Sequence, residues 1–182
     1  MDKKNILLGV AASISAYKAC DIITDLREAG YSVTAVMTKD AHHFVTPLVL
    51  QSFSGNPVVS DFFSLEGRTK PVHIELAKQS DLILIAPASA DIIAKLAYGF
   101  ADDVLSCTVL ASTAPLVIAP AMNEKMYANP MTKENLKKLV SLRSAKIVQP
   151  IEGHLVCMDR GMGHIAENKD ILATVKQCLS GK

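Results

Sequence analysis

The chain has 182 residues, with 19 Lys+Arg against 18 Asp+Glu for a formal charge of +1. That length suits one domain with a proper core, and the near-neutral charge offers no electrostatic footprint for nucleic acid or an anionic membrane. A hydrophobic fraction of 49% with 20% charged residues excludes a disordered chain, and with aromatics at 5% and no Trp the core must be aliphatic.

Lys3 and Lys4 precede an apolar run at 6–12, the outline of a signal-peptide start. The run is short and passes straight into Tyr17-Lys18 and a charged amphipathic segment, so it predicts a buried first strand over 5–10. Ala19, Cys20, Ile23 and Leu26 at helical spacing predict a helix over 16–29, with Gly30 as its stop. A second strand is predicted at 32–37, a helix at 47–53, and an irregular stretch at 55–71. A helix at 74–79, a strand at 82–86 and helices at 91–97 and 103–111 follow. The run 104–122 carries no charge over about the span of a bilayer, but it contains Ser106, Thr108, Ser112, Thr113, Pro115 and Pro120. It reads as a buried helix followed by a buried strand at 116–119. A helix at 132–139, a strand at 146–148, an irregular segment at 149–168 and a helix at 171–179 complete the pattern.

Apolar runs without in/out alternation are the mark of strands covered on both faces. The βαβ order implies an α/β fold of three layers, a mainly parallel sheet with helices on both faces and right-handed crossovers. The expectation is one domain over 1–182, placed in the cytoplasm for want of an export signal, with a functional flap at about 149–168 that carries Gly153, Gly161 and Gly163.

The cysteines, Cys20, Cys107, Cys157 and Cys178, form no CxxC pair and no Cys/His cluster, so neither a metal site nor a disulfide framework is expected. Cys20, Cys107 and Cys178 fall in helical patterns and read as core thiols; Cys157 lies in the flap.

Parallel sheets bind ligands beyond the carboxyl ends of their strands, which directs attention to 10–15, 37–40, 87–91 and 120–123. Ala11-Ala12-Ser13-Ile14-Ser15 lets backbone N–H groups and Ser13 approach a phosphate, or Ser13 is a plain N-cap. It lacks the GxGxxG glycines, so one mononucleotide phosphate fits better than a dinucleotide. Thr38 and Ser89 repeat the hydroxyl at two further strand ends. His73, between the irregular segment and a helix start, is either an acid/base group or a locally bonded helix residue. His42 and His43 read as surface or packing residues, and His164 has no evident partner. Asn123 either grips a ligand carboxylate or caps the next segment. Cys157 is either a proton donor carried by a closing flap or a tolerated loop cysteine.

Taken in order, these segments resemble the flavin-dependent cysteine decarboxylases over nearly the whole chain. His73-Ile74-Glu75-Leu76 is similar to the family's active-site histidine motif, Pro87-Ala88-Ser89-Ala90-Asp91 to its PASANT element, and Pro120-Ala121-Met122-Asn123 to its PxMN element. The resemblance implies a Rossmann-like, flavodoxin-like fold and FMN as cofactor. By carry-over, Ala12, Ser13 and Ile14 form the first flavin loop, Thr38, Lys39 and Asp40 the second, and Ser89, Ala90, Asp91 and Ile92 the third, with Ala121 against the flavin. Asn123 binds the substrate carboxylate, His154, Leu155 and Val156 cover the substrate, His73 is the catalytic histidine and Cys157 the proton donor.

The implied substrate is 4′-phosphopantothenoylcysteine, decarboxylated to 4′-phosphopantetheine in coenzyme A synthesis. Its thiol carbon is oxidised toward a thioaldehyde, CO₂ is lost to leave an enethiolate, and re-reduction gives the saturated thiol. Also implied is a homo-oligomer, a trimer or dodecamer with active sites between subunits. The chain ends soon after Leu179, so a separate phosphopantothenate–cysteine ligase is expected to supply the substrate. Departures from the family pattern are Ala12 for Gly, Asp91 for Asn, and Val156, Met158 and the Gly161-Met162-Gly163-His164 run in the flap. The alternatives are a peptidyl-cysteine decarboxylase, which does not need Cys157, and a non-catalytic regulatory flavoprotein subunit. Flavin prenyltransferases share the fold but lack the asparagine of PxMN.

Overall fold

The computed structural model describes residues 3–62, 70–154 and 160–180. Five strands, β1 (Asn5–Val10), β2 (Ser32–Met37), β3 (Leu82–Ala88), β4 (Leu116–Pro120) and β5 (Lys146–Ile147), form one sheet in the order β2-β1-β3-β4-β5. Each neighbouring pair is parallel, with Asn5 opposite Ser32, Ile6 opposite Leu82 and Ile83 opposite Leu116. The strand order 2-1-3-4-5 is that of flavodoxin-like doubly wound sheets.

The strands bury both faces because successive side chains alternate between two aliphatic layers. Ile6, Leu8, Val10, Val33, Leu82, Leu84 and Val117 lie in the first layer, with α1 (Lys18–Glu28), α2 (Pro47–Ser54) and α8 (Asn168–Ser180) contributing Ile22, Leu50 and Ile171. Leu7, Val36, Ile83, Ile85, Leu116 and Ile118 lie in the second. There they meet α3 (Val72–Gln79), α4 (Ala90–Tyr98), α5 (Val104–Ala111) and α7 (Pro130–Arg143) through Leu76, Ile92, Leu105 and Leu139. Gly9 continues the Leu7 face, where a Cβ would stand 2.7 Å from both Ile85 Cδ1 and Leu105 Cδ1, so its bareness lets α5 close onto the sheet. The charge-free run resolves into α5 and β4, and among the described residues no helix is long and apolar enough to cross a membrane.

Helix ends follow cap chemistry. Thr46 and Ser89 accept from the N–H groups of Val49 and Ile92, Pro47 opens α2, and Asp103 with Ser106 forms a capping box on α5. The helix predicted over 16–29 is a 3-10 turn (Ile14–Tyr17) running into α1, because the Ser13 cap starts the winding at Ile14, two residues before the predicted start. α7 extends the prediction at both ends, opening on Pro130 behind the Asn129 cap and closing at Arg143.

Two features stand where no helix or strand was expected. α6 (Glu124–Ala128) is a single short helix after β4. Within the flap, β6 (Ile151–His154) and β7 (Arg160–His164) pair as an antiparallel hairpin, with Gly153 opposite Gly161. Glycines disguise such strands, since they lack the β-branched signature. The core-thiol expectation also needs amending: Cys20, Cys107 and Cys178 are half-buried, and Cys107 donates to the Ala101 carbonyl at 3.1 Å.

Candidate functional site

β2 lies on one side of β1 and β3 on the other, so the chain reverses its direction of winding between them. A crevice opens at such a switch point beyond the strands' carboxyl ends. Here it is a cleft of ≈ 390 Å³ between the β1, β3 and β4 loops, with β7 as a further wall.

Small residues make its floor and backbone bonds stitch the loops together. Ala11 N–H donates to the Pro87 carbonyl at 3.2 Å, and Ala121 N–H to the Ala88 carbonyl at 3.0 Å. Ala11 and Ala121 are buried. Ser13 serves two loops at once: its Oγ accepts from Ser15 N–H and donates to the Ala121 carbonyl, both at 3.3 Å. Ser89 caps α4 by accepting from Ile92 N–H at 3.3 Å. The first-turn N–H groups behind these two caps give the cleft a positive end without a charged side chain.

Of the expected contacts, the fold brings Ala12, Ser13, Ile14, Ser89, Ala90, Ala121 and Asn123 to the cleft wall. Thr38, Lys39 and Asp40 lie at the neighbouring end of β2, where Thr38 N–H donates to the Val10 carbonyl at 3.0 Å and Lys39 and Asp40 open an exposed 3-10 turn. Phe44, just after that turn, is the residue of this loop that lines the cleft. Asp91 turns outward to Lys95 at 3.5 Å, and Lys95 also meets Asp102 at 3.1 Å and Asp103 at 3.7 Å. Burial opposes the charge on Lys95, but the bond to Asp102 and the charges of Asp91 and Asp103 outweigh it and push the ammonium above the usual lysine range. Ile92 is not brought to the cleft by its side chain, which is fully buried in the second core layer; its N–H is what meets Ser89.

His73 occupies the second position of α3, edge-on to Phe62 with ring centroids 5.7 Å apart. It is not among the residues walling the cleft, and its Nδ1 is buried without a hydrogen-bond partner among the described residues. Asn123 realises both of its readings: Oδ1 accepts from Lys125 N–H at 2.9 Å to cap α6, and the residue lines the cleft. The cap fixes which end of the amide is the acceptor. Leu155, Val156, Cys157 and Met158 lie outside the described residues, and His154 closes β6 opposite Arg160.

The hairpin is seated on the asparagine loop through its glycines. Met122 N–H donates to the Gly163 carbonyl at 3.0 Å, and a Cβ on Gly163 would collide with the Met122 carbonyl oxygen. Gly161 lies against Glu124 just as closely. His164 thereby enters the cleft wall, its Nδ1 3.0 Å from the Ile165 carbonyl. Since a carbonyl only accepts, Nδ1 carries the proton and Nε2 is the acceptor of the neutral ring. Sequence reasoning passed over Phe44 and Met126, and it named Gly163 and His164 in the flap without placing them at the cleft; the Gly-x-Gly spacing of Gly161 and Gly163 was the available signal. Small floor residues, mixed apolar walls and two capped helix starts suit a planar ring that bears a phosphate.

A family model described as Flavoprotein matches residues 1–180. The bifunctional coenzyme A biosynthesis protein CoaBC of Vibrio vulnificus is 44% identical over 98% of this chain, and the chain spans 44% of that protein's length. A probable phosphopantothenoylcysteine decarboxylase of Streptococcus mutans is 43% identical over 97% of this chain and 99% of its own. Among solved structures, a cysteine-to-serine mutant of a PPC decarboxylase complexed with pantothenoylaminoethenethiol matches with a TM-score of 0.88 and 33% identity. That match covers 97% of this chain and 98% of the other.

Proposed function

The chain belongs to the flavoprotein family, and from that premise we propose that it holds FMN in the switch-point cleft and decarboxylates 4′-phosphopantothenoylcysteine to 4′-phosphopantetheine in coenzyme A biosynthesis. The observation that carries this reading is the meeting of the Ser13 cap, the Ser89 cap and Asn123 around one cleft at the β1/β3 crevice, the position flavodoxin-like sheets use for FMN. The residues present fit that group. The capped starts at Ser13 and Ser89 accept a phosphate, and the small Ala12, Ala90 and Ala121 leave room for a flat ring. The loop of Thr38, Lys39 and Asp40 borders the same end of the sheet, with Asp91 and Ile92 behind the Ser89 cap.

What FMN supplies when bound is a two-electron sink that makes loss of CO₂ from the substrate's cysteine feasible. Asn123, its Oδ1 held by Lys125 N–H, turns amide N–H donors to the substrate carboxylate. His73 acts as the acid/base for the substrate thiol and Cys157 delivers a proton to carbon, while His154, Leu155 and Val156 cover the substrate. Because His73 lies off its own chain's cleft, the site is completed by a neighbouring subunit in a homo-oligomer, a trimer alone or within a dodecamer. Exposed Ile14 and Phe44 at the cleft, and Phe100, Leu110 and Leu142 elsewhere, support such contacts. The reaction is cytoplasmic, and a phosphopantothenate–cysteine ligase activity supplies the substrate.

The test is product mass spectrometry on the purified protein, which is expected to be yellow and to yield phosphopantetheine plus CO₂. A colourless protein that FMN does not reconstitute, or an absence of turnover, refutes the reading. Cys157→Ser is expected to release CO₂ while the unsaturated thiol accumulates, the class of compound bound by the cysteine-to-serine relative. Normal completion by that variant would remove Cys157 from the mechanism.

A further inference from the structure

Tyr127 is the buried side chain of α6, and the proposed reaction gives it no part. A phenol placed in an apolar layer needs a partner for its hydroxyl. It donates to Gln149 Oε1 at 2.6 Å, while Lys133 Nζ stands 3.4 Å from the ring centroid. Gln149 is at the surface, two residues before β6 begins. The backbone of the same residue reaches the other way: Tyr127 N–H donates to the Asn123 carbonyl at 2.9 Å. Just before Asn123, Met122 N–H holds the Gly163 carbonyl of β7. Both limbs of the hairpin are therefore rooted on α6 and the loop that opens it, the incoming limb by the Tyr127 side chain and the outgoing limb by the Met122 backbone.

We infer that Tyr127 is a positioning residue whose hydroxyl, by holding Gln149, keeps the flap hairpin in register with Asn123. The two limbs are then held in one position relative to the amide that receives the substrate carboxylate. Burial raises the Tyr127 hydroxyl above the usual phenol range, which keeps it a donor at all ordinary pH. The catalytic consequence rests on the decarboxylase reading; the structural coupling does not.

Tyr127→Phe removes the hydroxyl and keeps the ring with its core contacts. Gln149→Leu removes the acceptor from a surface position that cannot disturb the core. In the FMN-loaded protein, hydrogen–deuterium exchange at Ile151–His154 and Arg160–His164 is expected to quicken by about 2–10-fold in either variant, the worth of one neutral hydrogen bond, with β1 and β3 unchanged. The double variant is expected to be no faster than either alone, and Gln149→Glu, which keeps the acceptor, to exchange like wild type. In turnover, the KM for phosphopantothenoylcysteine is expected to rise by a similar factor in both single variants. Unchanged hairpin exchange, or effects of the two variants that simply add, would overturn the inference. A wild type without turnover would sink the decarboxylase reading and leave exchange to decide this one.

Discussion

Replacing Gly163 with alanine places a methyl group where the carbonyl oxygen of Met122 already stands. The obstacle is backbone, so no rotamer change relieves it, and β7 must lift off the segment before α6. Lifting breaks the 3.0 Å bond from Met122 N–H to the Gly163 carbonyl, worth about 0.5–1.5 kcal/mol. Forcing the methyl in without lifting costs about 1–3 kcal/mol as overpacking. Undocking is the cheaper route because Gly163 belongs to neither aliphatic layer, so the molecule yields locally and the sheet stays intact. Gly163 and His164 wall the cleft, and FMN affinity is expected to fall by roughly 5–50-fold, read by fluorescence quenching on titrating the apoprotein, while Tm drops by only a few degrees. Gly99→Ala is the control: Gly99 has φ +71 and nothing within 4 Å of an added Cβ. It bears only the left-handed backbone cost of about 1–2 kcal/mol, away from the cleft. Wild-type FMN affinity in Gly163→Ala, or an equal loss in Gly99→Ala, would refute the reasoning.

Asn123→Asp keeps an acceptor for Lys125 N–H but sets a carboxylate against a carboxylate, so thermal stability is expected to hold while KM for the substrate rises at least about tenfold in steady-state kinetics. Gly9→Ala drives a methyl to within 2.7 Å of Ile85 and Leu105 side-chain ends; urea unfolding is expected to show a loss of about 1–3 kcal/mol with FMN affinity unchanged. Burial is the largest cause holding the thiols of Cys20, Cys107 and Cys178 above the usual range. The folded chain then keeps protons that the unfolded chain releases, so this stability is present below the unfolded thiol pKa and lost as pH rises above it. Thermal melts across the alkaline range should show that decline, and substitution of all three by alanine should flatten it.

The strands were readable because burial on both faces leaves an unbroken aliphatic run. β1 and β2 occupy the residues predicted for them, 5–10 and 32–37. The strand-end segments were readable for a related reason, since a parallel sheet points every loop that follows a strand to one edge. Ser13, Ser89 and Asn123 could be named as candidates, but for Ser13 and Asn123 cap and ligand site were competing readings in one dimension. In the fold Ser13 and Asn123 are both caps and cleft residues at once, because a side chain satisfied locally can still present its other surface to a cavity. Ile92 shows the converse: the family resemblance implied a flavin contact there, and its side chain is consumed by the core.

The sequence by itself determined what depends on neighbours a few residues apart: the aliphatic layers, the β/α alternation, the caps, and the set of small and hydroxyl residues at the strand ends. Only the tertiary structure decided which of those ends face one another. The order β2-β1-β3-β4-β5, the seating of the Gly161–Gly163 strand on the asparagine loop and the Tyr127–Gln149 tie all join residues far apart in the chain. No period or cap encodes such pairings; they follow from the packing of whole layers, where one register buries the aliphatic faces and the loops meet wherever that register carries them.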